Sequence, residues 1–115
     1  MLKPPLERLR KRSEFLKVSK AGERWVTPAF IIQAYHRAVE DLPRYGITAS
    51  KKIGGAVQRN RAKRRLRVLI REILPSIASP GMDYVFIARQ DILKRDFSLM
   101  KKDLSHAIKK LSQQP

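Results

Sequence analysis

The sequence predicts an α/β or α+β fold, one sheet with three helices packed on it, in a single domain. Three observations predict it. First, 115 residues with 43% hydrophobic content supply one core and argue against a disordered chain. Second, stretches of two-residue hydrophobic period alternate with stretches of helical period. Third, the segments 45–50, 56–74 and 82–89 read in order as strand, helix, strand, the pattern of a βαβ crossover. No internal repeat, low-complexity tract or linker divides the chain.

Residues 1–12 are basic and carry Pro4 and Pro5, which suggests a mobile arm preceding the domain at 13–112. Ser13 is placed to cap a first helix over 13–21, with Glu14 in its first turn and Gly22 as its stop. Phe15 and Val18 then share a face. Trp25–Tyr35 is rich in β-branched and aromatic residues, so it reads as one long strand or two short ones, with Pro28 near a start or edge. Phe30, Ile32 and Ala34 alternate with Ile31, Gln33 and Tyr35 across its two faces. Arg37–Pro43 reads as a loop, and Tyr45, Ile47 and Ala49 mark a half-buried strand.

After Gly54-Gly55 the period turns helical. Ala62, Leu66, Leu69, Ile70 and Ile73 line up on one face. Pro75 is expected to end this helix, and Pro80-Gly81 to turn the chain. Residues 82–89 are apolar on both faces, as a central strand is. A last helix starts near Asp96, with Phe97, Met100, Leu104, Ala107 or Ile108, and Leu111 as its stripe. Residues 113–115 are expected to fray.

The charge points to the partner. Twenty-six basic against ten acidic residues leave a net charge of +16. Such a field says little about fold and much about association with polyanions. It is also concentrated. No acid stands between Asp41 and Glu72, while nine Lys or Arg lie between Lys51 and Arg71. On a helical wheel Asn60, Arg64, Arg67 and Arg71 oppose the apolar face, Arg61 and Lys63 flank them, and Arg59 and Arg65 sit near the boundary. A cationic face of this kind suits nucleic acid. A-form RNA has a major groove too deep and narrow for a helix to read, so on RNA the helix would lie across phosphates or in an irregular junction. Asn60, with donor and acceptor, either contacts a base edge or 2′-OH or orders the neighbouring arginines. Gly54-Gly55 makes a tight turn, and it also lets a phosphate approach the helix start beside Lys51 and Lys52. Phe15, Phe30 and Tyr35 are each either core residues or stacking surfaces for single-stranded nucleic acid.

Several function classes are disfavoured. With no Cys, disulfides, thiolate metal sites and Cys nucleophiles are excluded. His36 and His106 lack a metal-ligand spacing. Asp91, Asp96 and Asp103 are scattered, no nucleophile has a neighbouring base, and the glycines do not form a P-loop. The first residues have no apolar core of a secretory signal, and no stretch approaches the roughly 20 apolar residues of a membrane span. A cytoplasmic protein with no membrane partner is expected.

The run Lys51-Lys52-Ile53-Gly54-Gly55-Ala56-Val57-Gln58-Arg59-Asn60-Arg61-Ala62-Lys63-Arg64 resembles the RNR signature of bacterial ribonuclease P protein subunits, roughly K-x-x-G-x-A-V-x-R-N-x-x-K-R, at every fixed position. Further likeness lies in Arg12, Phe15 and Val18, in Gly22, in "ITASKK" and in "DYVFIAR", so that it covers about 8–112. The resemblance implies an α+β fold like ribosomal protein S5 domain 2, with about four strands in a mixed sheet, three helices and a left-handed βαβ crossover. It also implies a protein with no catalytic residues of its own, assisting an RNA that cuts precursor tRNA to release the 5′ leader.

By position, the resemblance assigns Arg59, Asn60, Arg61, Lys63, Arg64 and Arg67 to the catalytic RNA. Phe15, Phe30, Lys51, Lys52 and Arg89 would meet the single-stranded leader. It implies no cofactor on the protein, Mg²⁺ at the active site of the RNA, and no obligate protein partner. Ser19 and Gln33 stand where some relatives carry aromatics, so leader stacking is expected to be thinner here. The bare residues also fit a ribosomal RNA-binding protein, a DNA-binding architectural protein or an independent hydrolase. Stimulated precursor cleavage, duplex preference or RNA cutting without an RNA partner would separate them.

Overall fold

Met82–Ala88 (β5) forms the middle of the sheet, as its two-sided apolar character demands. In this computed structural model, residues 6–37 and 41–112 are described. Around β5 the chain runs β1 (Glu7–Arg8), α1 (Arg12–Ala21), β2 (Glu23–Val26), β3 (Phe30–His36), β4 (Arg44–Thr48) and α2 (Ala56–Ile77). A 3₁₀ turn over Gln90–Leu93 and α3 (Phe97–Ser112) follow β5. The strand order is β1-β4-β5-β3-β2. β1, β4 and β5 are mutually parallel, and β3 and β2 complete the sheet in antiparallel pairing.

Strand alternation divides the core in two. Phe30, Ile32 and Ala34 on β3, with Tyr84, Phe86 and Ala88 on β5, face α2 and α3 and make the main core. The Phe30 and Phe86 rings lie 5.6 Å apart, tilted. On the opposite face a smaller cluster joins Leu9, Val18 and Val85, with Phe15, Tyr35 and Ile87 packed on it under α1. The sheet is therefore a middle layer between α2 with α3 and the single helix α1.

Several expectations are corrected. The mobile arm proposed for 1–12 does not extend through residues 6–12. Glu7 and Arg8 pair with Arg44 and Tyr45, and Leu9 is buried. The rest of that arm, and the frayed tail at 113–115, lie outside the described residues, as does 38–40 of the expected loop. The pairing at β1 supplies a fifth strand, one more than the resemblance implied. α1 starts at Arg12, with Ser13 already inside it. Instead of a Ser13 cap, the Glu14 carboxylate reaches back to accept from the backbone N–H groups of Arg10 and Lys11, each at 2.9 Å.

Trp25–Tyr35 is split. Thr27 Oγ1 donates to the Phe30 carbonyl at 2.7 Å and accepts from the Phe30 N–H at 3.1 Å, which closes a turn containing Pro28. A Thr side chain that satisfies both backbone groups makes the bend stable. α2 continues past Pro75 to Ile77. Pro75 cannot donate to the carbonyl of Arg71, but Arg71 is exposed and water can take that place. Burial of Leu74 and Pro75 keeps the last turn packed.

Candidate nucleic-acid interface

α2 is where sequence and structure agree most closely. Ala62, Leu66, Leu69, Ile70 and Leu74 are buried. Asn60, Arg61, Arg64 and Arg71 are exposed on the far side, and Arg59, Lys63 and Arg67 are half-buried along one flank. Among the described residues, no carboxylate forms an ion pair with Arg59, Arg61, Lys63, Arg64, Arg67 or Arg71. Carboxylates do pair elsewhere, with Arg37, Arg44, Arg95 and Lys101. The positive field of α2 is thus not neutralised from within the protein. Val57, 78% exposed in the first turn, puts an apolar group among these cations.

Arg65 has a different fate. Its guanidinium donates to the carbonyls of Ile92 and Arg95 at 2.7 and 2.8 Å. It fastens the 3₁₀ turn and the segment after it to α2 and leaves the charged face to its neighbours.

The start of α2 is open. Gly54 has φ of +143°, a backbone state that favours glycine. No side chain caps the helix at Gly55, and no acid occupies its first turn, so the positive dipole end is uncompensated. Lys51 and Lys52 are exposed beside it. Because β4 and β5 are parallel, the residues after both strands come to this same end of the sheet. Arg89 is there, its backbone N–H donating to the Ala29 carbonyl at 2.9 Å and its Nη1 to the Thr27 carbonyl at 2.8 Å. Gln90 Nε2 donates to the Lys52 carbonyl at 3.1 Å, linking the two segments.

Phe15 and Phe30 are not brought together. Phe30 is fully buried on the face covered by α2 and α3, so its assignment to a leader-binding cleft is corrected: it is a core residue. Phe15 is half-buried at the underside of α1, on the opposite face. Where α1 does not cover that face, Ile31, Gln33 and Ile87 are half-buried and Val26 and Thr48 are exposed. Lys17 Nζ lies 5.9 Å from the centre of the Tyr35 ring. Ser19 is exposed on α1. Phe15, Lys17 and Tyr35 therefore stand beside a partly exposed sheet surface of mixed apolar and cationic character.

An ionic cluster underlies α1. Asp83, 2% exposed on β5, accepts a two-pronged hydrogen bond from Arg44, Nε to Oδ1 at 2.8 Å and Nη2 to Oδ2 at 2.7 Å. Arg44 Nη1 donates to Glu14 Oε2 at 2.6 Å. Arg37 Nε lies 2.9 Å from Asp83 Oδ1, an ion pair whose geometry falls short of a hydrogen bond. The hydrogen bond to Asp83 raises the pKa of the Arg44 guanidinium still further. These residues carry no sequence signal, because the partners are 30 and 39 positions apart.

Backbone N–H donation from Lys11 and Arg10, aided by Arg44, holds the Glu14 carboxyl below its ordinary 4.5. A depressed folded-state pKa contributes stability above the unfolded value and loses it as pH falls through the folded one. Thermal melts between about pH 6 and pH 2 should therefore decline less steeply for Glu14→Gln than for the unaltered chain. Parallel declines would show that Glu14 titrates alike folded and unfolded.

Among the described residues no cluster of three or more His, Asp or Glu side chains is placed to hold a metal ion, and no helix is long and apolar enough to cross a membrane. The geometry is that of a cationic binding protein. The Ribonuclease P family model matches residues 4–112. The chain belongs to the ribonuclease P family. It is 44% identical over 110 residues to the ribonuclease P protein component of Paramagnetospirillum magneticum, covering 92% of this chain and 83% of the relative. It is 48% identical over 103 residues to that of Caulobacter vibrioides, covering 89% and 68%. Its fold is similar to the ribonuclease P protein of Thermotoga maritima, with a TM-score of 0.74 at 27% identity, covering 95% of this chain and 98% of the other. The ribonuclease P protein of Staphylococcus aureus gives 0.70 at 27% identity, covering 89% and 92%.

Proposed function

We propose that this family member docks the outer face of α2 on the catalytic RNA and holds the 5′ leader of precursor tRNA between α1 and the sheet. As a ribonuclease P protein component it is the accessory subunit of a ribonucleoprotein endonuclease that acts in tRNA 5′ processing, with RNA as the catalyst. The observation that carries the docking assignment is the row of unpaired cations Arg59, Arg61, Lys63, Arg64 and Arg67 on α2, with the amide of Asn60 among them. Phe15, Lys51, Lys52 and Arg89 are the chain's contacts to the leader in this reading, without Phe30.

The physical work is electrostatic. Catalytic RNA and substrate are both polyanions and repel each other. A cationic protein seated between them lowers that repulsion and releases counterions from both. Mg²⁺ belongs to the RNA in this reading, and weaker repulsion lets the RNA hold it at lower concentration. Phe15 offers a ring on which a leader base stacks without regard to sequence. The cytoplasm is the compartment where such an RNA partner is met.

Reconstitution tests it. The protein is mixed with a bacterial ribonuclease P RNA and a precursor tRNA bearing a leader, at low Mg²⁺. Cleavage at the mature 5′ end should be stimulated over RNA alone, and the stimulation should shrink as Mg²⁺ is raised. No stimulation at any Mg²⁺ concentration would reject the reading.

A further inference from the structure

α1 carries the one aromatic side chain assigned to the leader, yet it is weakly held. It has ten residues, and Val18 is its one buried side chain, whereas α2 buries six. So short a helix gains little stability of its own, and tertiary contacts must fix it. Val18 packs on Val85 and Leu9, and two further neighbours on α1, Glu14 and Phe15, both meet β4. Glu14 is gripped by Arg44, which is itself anchored by the buried Asp83. The ring of Phe15 lies against Gly46, where any Cβ would overlap it. The glycine is needed here for space, since its φ is not positive. Arg44 and Gly46, two positions apart on β4, thus point to the same side of the sheet and receive Glu14 and Phe15 respectively.

We propose that Arg44 and Gly46 are positioning residues for the leader: the Glu14–Arg44–Asp83 clamp sets the height of α1, and Gly46 leaves the space in which the Phe15 ring sits against β4. This rests on the leader assignment above and deepens it. The ligand is single-stranded RNA, and the clamp acts on it only through Phe15. A charge-assisted grip on Glu14 makes the ring preorganised rather than free to swing, which lowers the ordering cost of stacking a base on it. No RNA contact is required of Glu14, Arg44 or Asp83.

The test uses the reconstituted holoenzyme and compares its affinity for precursor tRNA with that for leaderless tRNA. Glu14→Gln keeps an acceptor for the Arg10 and Lys11 N–H groups but removes the charge that Arg44 grips. It should lower the leader-dependent affinity ratio roughly five-fold, the worth of one charged hydrogen bond made neutral. Leaderless affinity and affinity for the catalytic RNA should not change. Hydrogen exchange of the α1 amides should speed up. Asp103→Asn, which removes the 2.8 Å pair between Asp103 of α3 and Arg95 in the segment before it, should change none of these. Gly46→Ala should lower the ratio with the clamp intact. Should that variant fail to fold, Glu14→Gln decides alone.

An unchanged ratio in Glu14→Gln, with a fall in Phe15→Ala, would overturn the proposal and leave the clamp a purely structural feature. An equal loss of leaderless affinity would do the same. If Phe15→Ala itself leaves the ratio unchanged, the leader assignment fails, and the clamp's role in substrate binding with it.

Discussion

Phe30→Ala should destabilise the domain by about 3–5 kcal/mol, the usual cost of emptying a buried aromatic site. The ring is fully buried, packs on Phe86 and faces α2 and α3, so nothing near it can collapse into the space without moving a strand or helix. Urea titration followed by circular dichroism measures the loss. The folded fraction should still bind leader-bearing and leaderless tRNA in the unaltered ratio, because the ring lies on the face of the sheet away from α1. Phe15→Ala should behave in the opposite way. It empties a half-buried site, costs less stability and lowers the ratio. Exchanged outcomes for the two phenylalanines would mean that the leader binds on the other face of the sheet.

That pair also shows where a sequence is silent. Phe15 and Phe30 both stand near bases and look alike as stacking candidates. Alternation within β3 correctly puts Phe30, Ile32 and Ala34 on one face. It does not say which face α1 covers, since that is decided by where the chain crosses the sheet. The two helical stripes of α2 and α3 were legible because a 3.6-residue period is a local property, and so was the central place of β5, apolar on both sides.

What escaped was made by side chains acting on distant backbone. Thr27 folds the β2–β3 turn by satisfying two groups of Phe30. Glu14 starts α1 from inside, through the N–H groups of Arg10 and Lys11. Arg44 joins β4 to both α1 and β5 over separations of 30 and 39 residues. The short β1 pairing has two residues and no hydrophobic period to announce it. Pro75 misled because the rule against proline assumes a needed hydrogen bond. Here the carbonyl it leaves free belongs to an exposed residue.

Arg64→Glu should weaken binding to the catalytic RNA by roughly ten- to a hundred-fold at moderate salt, without unfolding the chain. A charged hydrogen bond to phosphate is worth about 1.5–3 kcal/mol, and reversal adds repulsion. Salt dependence separates this effect from a structural one. If Arg59, Arg61, Lys63, Arg64 and Arg67 each neutralise one phosphate, the logarithm of affinity should fall against the logarithm of salt with a slope of about −4. Arg64→Gln should reduce that slope by about 0.7–0.9. Arg65→Gln is the decisive comparison, since it removes the same charge from the adjacent residue. Its guanidinium is spent on the Ile92 and Arg95 carbonyls, so this variant should lose about 1–3 kcal/mol of stability and leave the slope nearly unchanged. Filter binding across a salt series, with a thermal melt for each variant, reads both quantities. Equal slope changes for the two arginines would mean that RNA reads the total charge of α2 and not one face of it. That result would remove the geometric basis for placing the RNA on Asn60, Arg61 and Arg64.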